Sequence, residues 1–320
     1  MNRTAPIFVA GGETLIGAAL RKRLRAAGYA NIVGAPPDEP DLTDPVQVEN
    51  LFDRARPEYV FLVAGWSGGI RLNQERPAEL MRHNLLVTAH VVHQAYQHGV
   101  KKLLYLASSC SYPKHAPQPL RVESLLTGPL EPTSAAYAVA KLAGWQLCEA
   151  YRRQYAVRFV TAFPTNSFGP HDDFSPEGAH VIPGLLRRTH EAKLRDEPEL
   201  TIWGTGTPCR EFIYSHDLAD ACLWVMRSYD GPEPINLGGA EDLSIAELAR
   251  TIAQVVGYRG RLRFDSGRPD GTPFKRLDSS RLRELGWRPA TDFRTALAET
   301  YAWYLHHVAK EEPTDVRAAI

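Results

Sequence analysis

The sequence predicts an α/β protein: a doubly wound parallel sheet with a smaller, mostly C-terminal lobe. Strand and helix signals alternate along the first half of the chain, as they do when helices wrap a parallel sheet. The first strand signal, the apolar run 7–10, ends at two glycines that precede a helical stretch. After Pro164 the loops become longer and richer in proline and glycine, which indicates a change of architecture. The 320 residues suffice for a sheet domain and one such lobe.

The individual elements follow from apolar runs and from helix start and stop signals. We predict strands at 7–10, 31–33, 59–63, 102–107 and 158–163, and helices at 17–27, 44–55, 77–97, 134–153, 182–193, 218–226, 245–256 and 293–307. Residues 1–164 are assigned to the sheet domain, with some later segments returning to it, residues 165–310 mainly to the second lobe, and residues 311–320 to a polar tail.

Charge and cysteine usage exclude several classes of function. Lys plus Arg equals Asp plus Glu, 37 each, so no net charge favours nucleic acid or an anionic membrane as a partner. Apolar runs such as 59–65 are too short for a membrane span, and the N-terminal residues show no signal-peptide pattern. The four cysteines have neither CxxC spacing nor a paired histidine, which argues against disulfides and against a metal site. We therefore expect a cytoplasmic protein.

The glycine-rich segment 11–17 (GGETLIG) lies between the first predicted strand and the first helix. In a Rossmann-type sheet this turn carries the pyrophosphate of a dinucleotide on the helix N-terminus. Thr14 replaces the middle glycine of the pattern, so the motif alone also fits a purely structural turn. The cofactor contacts predicted from this segment are Gly11, Glu13, Thr14, Leu15, Ile16 and Gly17.

Tyr137 and Lys141 form a YxxxK pair on a predicted helix, where residues four apart share a face. The ammonium should lower the pKa of the phenol, which could then exchange a proton with a reacting oxygen near neutral pH. YxxxK is common by chance, but Ser108 ends a strand about thirty residues upstream, at the sheet edge where ligands bind. Ser108, Tyr137 and Lys141 behind a glycine-rich turn predict a nicotinamide-dependent redox site.

Several longer segments are more specific than these motifs. They are 108–114 (SSCSYPK), 125–133 (LLTGPLEPT), 166–174 (NSFGPHDDF), 180–183 (HVIP), 203–212 (WGTGTPCREF) and 269–275 (PDGTPFK). Through them the sequence resembles, over nearly its whole length, the GDP-L-fucose synthase family. These extended short-chain dehydrogenase/reductases are 3,5-epimerases and 4-reductases of GDP-4-keto-6-deoxymannose.

The resemblance implies the roles of five catalytic residues. Ser108, Tyr137 and Lys141 would form the redox triad, while Cys110 and His180 would be the base and the acid of epimerisation. A ketone at C4 acidifies the hydrogens at C3 and C5, so a base on one face and an acid on the other can invert each centre. A thiolate is a competent base once its pKa is lowered, and histidine can return the proton near neutrality.

The resemblance also implies binding residues and partners. Further cofactor contacts would come from Ala64, Lys141, Pro164 and Asn166. The nucleotide diphosphate of a GDP-sugar would be held by Arg188, Arg210 and Lys275, with Arg187 close by and Trp203 either beside the base or simply packed. The family further implies a homodimer through the long helices 77–97 and 134–153.

Two departures from the family pattern concern the cofactor and the sugar. NADPH-using members carry His-Arg-Gly in the first loop and another arginine after the second strand. Here the loop has Glu13, whose carboxylate would repel a 2′-phosphate, and segment 34–39 (GAPPDE) contains no arginine. NAD(H) is therefore predicted in place of the family's NADP(H). Trp66 and Ser67 stand where the family has Ala-Lys-Val before Gly-Gly, which points to a related sugar nucleotide.

Three other functions fit parts of the sequence. The first is an NAD-retaining 3,5-epimerase without net reduction, like GDP-mannose 3,5-epimerase, but those enzymes carry lysine where this chain has His180. A 4,6-dehydratase would need an Asp-Glu pair in place of Ser109-Cys110. A non-catalytic nucleotide-sensing protein would commonly lose the tyrosine or the lysine, and both are present here.

Overall fold

Six parallel strands form the main sheet, in the order β2-β1-β3-β4-β5-β9. The computed structural model describes residues 1–34, 38–239, 241–267, 270 and 273–309. The strands of this sheet are β1 (Ile7–Ala10), β2 (Ile32–Val33), β3 (Tyr59–Leu62), β4 (Lys102–Leu106), β5 (Phe159–Pro164) and β9 (Ile235–Leu237). Because β1 pairs with both β2 and β3, the strand order reverses beside β1, and ligands bind at such a reversal.

Helices cover both faces of this sheet. The helices of the first half are α1 (Leu15–Ala26), α2 (Pro45–Ala55), α3 (Ile70–Glu75), α4 (Pro77–Gln97) and α5 (Ala135–Tyr155). Those of the second half are α6 (Val181–Leu194), α7 (Ser215–Ser228), α8 (Ile245–Val256), α9 (Ser280–Glu284) and α10 (Phe293–His307).

Alternate residues of β1 enter two different hydrophobic cores. Ile7 and Val9 pack with α1 and α7 on one face, and Phe8 and Ala10 pack with α2 and α4 on the other. Successive side chains of a strand point to opposite faces, so a strand covered on both sides has to be apolar throughout. This explains why β1 is an uninterrupted run of apolar residues in the sequence.

The smaller unit contains two further sheets and a third core. The additional strands are β6 (Asn166–Phe168), β7 (Glu199–Trp203), β8 (Cys209–Tyr214), β10 (Glu241–Ser244), β11 (Arg261–Asp265) and β12 (Phe274–Lys275). Strand β8 pairs antiparallel with β10 and parallel with β6 and β12, while β7 pairs with β11. Phe168, Phe212, Leu186 and Ile252 belong to the core that joins this unit to α6 and α8.

The predicted fold class is confirmed, and every element predicted before Pro164 forms to within a few residues of its predicted bounds, whereas the short helix α3 was not predicted. The predicted helices 182–193, 245–256 and 293–307 also form. Strand β6 and the later strands were not predicted, because they are short and depend on partners far along the chain. Strand β9 returns to the main sheet. The division at residue 164 stays a prediction, and tail 311–320 lies outside the described residues.

Two kinds of feature are absent from the described residues. No helix there has both the length and the apolar character needed to cross a membrane. The same part of the chain contains no group of three or more His, Cys, Asp or Glu side chains placed to hold a metal ion.

Candidate active site

The glycine-rich loop is a tight cradle at the N-terminus of α1. Thr14 caps the helix: its Oγ1 accepts a hydrogen bond from Gly17 N at 3.2 Å and donates one to Gly11 O at 2.7 Å. A Cβ added to Gly17 would lie 1.8 Å from Gly11 O, and one added to Gly11 would lie 2.7 Å from Ala64 Cα. Both glycines are therefore sterically required. Thr14 replaces the motif's middle glycine because it acts as the helix cap.

The residues around this cradle fit a dinucleotide. Leu15 and Ile16 begin α1, whose first-turn N–H groups have no partner within the helix and suit a phosphate. The other predicted cofactor residues follow parallel strands: Ala64 comes two residues after β3, and Pro164 ends β5. Asn166 begins β6 and donates from Nδ2 to Glu211 O at 3.0 Å. Because parallel strands share one carboxyl edge, the predicted cofactor residues border one crevice.

The acidic residue at the cradle is Glu39 rather than Glu13. Glu39 Oε1 accepts hydrogen bonds from Gly11 N at 2.5 Å and Gly12 N at 3.0 Å. Burial raises the pKa of Glu39, against the lowering effect of the Gly12 and Gly11 N–H groups. The Glu13 side chain is 66% exposed and pairs with Arg21 at 3.1 Å. This role of Glu39 was not predicted from the sequence, although an acidic residue about twenty positions after Gly17 is the signal that reveals it.

Ser108, Tyr137 and Lys141 converge as predicted. Ser108 follows β4, and its hydroxyl accepts from Cys110 N at 3.2 Å and hydrogen-bonds the Tyr137 phenol. Lys141 is 4% exposed, donates from Nζ to Leu106 O at 3.2 Å, and lies with Nζ 5.9 Å from the centroid of the Tyr137 ring. The strand end and one face of α5 thus bring the three side chains together.

The predicted lowering of the Tyr137 pKa is wrong. Burial raises this pKa above that of an ordinary phenol, the nearby Cys110 raises it further, and the Ser108 hydroxyl opposes both effects. Burial also lowers the pKa of Lys141 to about 8. Desolvation disfavours whichever form is charged, so it raises the pKa of the phenol and lowers that of the ammonium. Tyr137 is therefore a protonated phenol at neutral pH, which suits a proton donor.

Cys110 lies in the same cleft, in a short 3₁₀ turn after β4. Burial alone would raise the pKa of its thiol, but the Lys275 ammonium and hydrogen bonds from Ser108, Lys275 and Ser134 lower it below the usual value. Lys275 Nζ lies 3.6 Å from Cys110 Sγ. A thiol with a lowered pKa provides the thiolate that proton abstraction requires.

His180 is the N-cap residue of α6, yet its side chain forms no capping hydrogen bond. The imidazole therefore does not serve to start the helix. Burial lowers the pKa of His180; Asp173 opposes this effect and Lys275 adds to it. The protonated fraction of the His180 imidazole therefore falls as the pH rises through this lowered pKa. Because Lys275 acts electrostatically on both His180 and Cys110, the two predicted epimerisation residues face one region.

The cations predicted to hold a diphosphate are distributed over α6, β8 and β12. Arg188 donates to Thr201 O at 2.5 Å, and Arg187 pairs with Glu191 at 3.1 Å. Burial lowers the pKa of Arg210, which Cys209 and Cys110 oppose. Trp203 ends β7 and is 66% exposed. Arg210 is thus the arginine that the structure places beside Cys110.

Comparison with known proteins identifies the family. Residues 7–238 match the model of the NAD dependent epimerase/dehydratase family. Over 307 residues the chain is 47% identical to GDP-L-fucose synthase 1 of Arabidopsis thaliana, covering 96% of this chain and 95% of that protein. The chain belongs to the GDP-L-fucose synthase family. It is an NAD(P)-dependent epimerase/reductase, and the family predicted from the sequence is confirmed.

Two solved structures extend the similarity to the fold. The chain is similar to a GDP-6-OMe-4-keto-L-xylo-heptose reductase from C. jejuni, with a TM-score of 0.90, 32% identity, and coverage of 96% of this chain and 99% of that one. It is also similar to a GDP-L-fucose synthetase from Naegleria fowleri bound to NADP, with a TM-score of 0.88, 30% identity, and coverage of 96% and 95%. Both of these neighbours are named for a GDP-sugar.

Proposed function

We propose that this member of the GDP-L-fucose synthase family converts GDP-4-keto-6-deoxymannose to GDP-L-fucose, by inversion at C3 and C5 and reduction at C4. The observation that carries the proposal is the position of Cys110, two residues after Ser108 and electrostatically coupled to Tyr137. A thiol of lowered pKa thus shares one cleft with the redox residues. The unit built around β8 would bind the sugar nucleotide.

Epimerisation requires a base and an acid on opposite faces of the sugar. The Cys110 thiolate takes the proton from the carbon beside the ketone, and the electron pair moves toward the C4 oxygen. Tyr137 hydrogen-bonds to that oxygen and stabilises its developing charge. His180, in its protonated form, returns a proton to the other face. Once Cys110 has released its proton to solvent and His180 has taken one up, the same residues act at the second carbon.

Reduction requires a proton at the C4 oxygen. When bound, the reduced nicotinamide supplies the hydride for C4. Tyr137 donates its phenolic proton to the oxygen, and the raised pKa keeps that proton in place until it is needed. Ser108 orients the phenol, while Lys141 keeps a positive charge near the phenolate that forms.

A product analysis tests the proposed function. With GDP-4-keto-6-deoxymannose and a reduced nicotinamide nucleotide, we expect stoichiometric cofactor oxidation. The proton NMR couplings of the product should show inversion at C3 and C5 and a hydroxyl at C4. Inversion without cofactor oxidation would instead establish the NAD-retaining epimerase, and the absence of any turnover would favour the nucleotide-sensing protein.

For the cofactor, we propose NAD(H), with Glu39 as the residue that selects it. A carboxylate beside Gly11 and Gly12 can accept hydrogen bonds from ribose hydroxyls but repels a 2′-phosphate. Two like charges about 4 Å apart at the protein surface repel by enough to discriminate roughly tenfold or more. The NADP-bound relative from Naegleria fowleri makes this a departure within the family.

Fluorescence titration with NADH and NADPH measures this selectivity without turnover. We expect wild type to bind NADH roughly tenfold or more tightly than NADPH, and Glu39→Gln to bring the two affinities close together. Glu13→Gln is the matched control and should keep the wild-type ratio, because Glu13 is exposed and paired with Arg21. A wild type that binds NADPH more tightly would refute the proposed role of Glu39.

We further propose a cytoplasmic homodimer formed through α4 and α5. These helices pack against each other and carry an aromatic group of Tyr96, Tyr151 and Tyr155, in which the rings of Tyr96 and Tyr155 stack at 4.1 Å. Tyr155 is 41% exposed and Val139, on the same helix, is 40% exposed. Partly exposed aromatic and apolar side chains on paired helices suit an interface between two copies. The four free thiols suit a reducing compartment.

A further inference from the structure

Lys275 occupies a position that its predicted role does not explain. The family resemblance implied that it holds the nucleotide diphosphate, but its Nζ lies 3.6 Å from Cys110 Sγ. Lys275 is on β12, directly opposite Arg210 on β8. Cys110 and Lys275 are 165 residues apart in the chain, and pairing of β12 with β8 brings them together.

The sulfur is the acceptor for this ammonium. Throughout the residues that the structure describes, Lys275 forms no ion pair with a carboxylate. The other charged or titratable groups that act on the sulfur are Arg210 on β8 and the neutral Tyr137 phenol on α5. The Ser108 and Ser134 hydroxyls also hydrogen-bond to the sulfur, and Lys275 acts electrostatically on His180 at the start of α6. Lys275 is thus the positive group that contacts the thiol directly.

We propose that Lys275 is a positioning residue that holds Cys110 as the thiolate and so sets the pH at which epimerisation begins. The proposal deepens the proposed function and rests on Cys110 as its base. On ionisation the thiol loses its proton to solvent, while Lys275 keeps its own. The thiolate then accepts the proton from the sugar carbon, so Lys275 acts through Cys110 and takes part in no bond change.

Two other cysteines show how full burial affects the pKa of a thiol. Burial raises the pKa of Cys148 and of Cys222 to about 12. Cys110 is only partly buried, and its pKa lies below the usual thiol value because of Lys275 and the surrounding hydrogen-bond donors. A nearby opposite charge commonly shifts a pKa by about 1–3 units, which brings the ordinary thiol pKa of about 8.5 toward neutrality.

The pH dependence of thiol alkylation tests this inference on the whole protein, without substrate. In a Cys209→Ser background, iodoacetamide should react with Cys110, because Cys148 and Cys222 are buried. We expect Lys275→Met, which keeps an unbranched side chain, to raise the pH midpoint of alkylation by at least about one unit. Lys275→Arg should restore most of the shift. Arg276→Met is the control, since the neighbouring Arg276 pairs with Asp242 at 3.1 Å instead.

The affinity for GDP, measured by calorimetry on the same variants, separates this role from diphosphate binding. A raised midpoint in Lys275→Met with a normal midpoint in Arg276→Met supports the proposal, whether or not GDP affinity falls. An unchanged midpoint in Lys275→Met overturns it, even if GDP binds more weakly. Because alkylation involves no turnover, this outcome leaves the proposed function to be judged by its own product analysis.

Discussion

Replacement of Tyr137 by phenylalanine should reduce the rate of C4 reduction by roughly 10²–10⁴-fold, the usual contribution of a positioned general acid. The phenol is the proton donor that the structure places beside Ser108 and Lys141. Phenylalanine keeps the ring and removes only the acidic group. Single-turnover oxidation of the reduced cofactor, with the 4-keto sugar in excess, measures the loss directly.

The matched control is Tyr155→Phe, which removes a phenol from the same helix at a position 41% exposed. Tyr155→Phe should reduce the 4-keto sugar at the wild-type rate. Cofactor affinity of Tyr137→Phe should stay within severalfold of wild type, because the glycine-rich loop that would hold the pyrophosphate is unchanged. Reduction at near wild-type rate by Tyr137→Phe would disprove the assignment of the proton donor.

The second large effect concerns inversion. Cys110→Ser should slow the incorporation of solvent deuterium at C3 and C5 by about 10²-fold or more, since a serine hydroxyl remains protonated where a thiol of lowered pKa ionises. Hydride delivery should persist, because Ser108, Tyr137 and Lys141 are untouched. Mass spectrometry of the sugar after incubation in D₂O, without reduced cofactor, reports the exchange alone.

Cys209→Ser is the corresponding control, because Cys209 is a partly exposed cysteine at the start of β8. Its exchange rate should match that of wild type. Deuterium incorporation at the wild-type rate in Cys110→Ser would show that another group is the base. In that case Lys275 would also lose the role inferred for it.

The sequence by itself determined the parts of this protein that depend on nearby residues. The apolar run of β1, the loop 11–17 and the spacing of Tyr137 and Lys141 each lie within one strand, turn or helix. Local spacing decides which face of a helix or end of a strand a residue occupies. The long segments around Ser108, Cys110 and His180 indicated the family, and the similarity to known proteins confirmed it.

The tertiary structure alone decided which charges meet and how strongly each group is buried. Glu39 replaced Glu13 at the glycine cradle, and Lys275, which the resemblance assigned to the diphosphate, lies against Cys110. The direction of the Tyr137 pKa shift also reversed once burial was known. Contacts between distant segments and the loss of water around a group arise from packing of the whole chain. The spacing of residues along the sequence carries no information about these contacts or about burial, because both depend on which distant segments pack together.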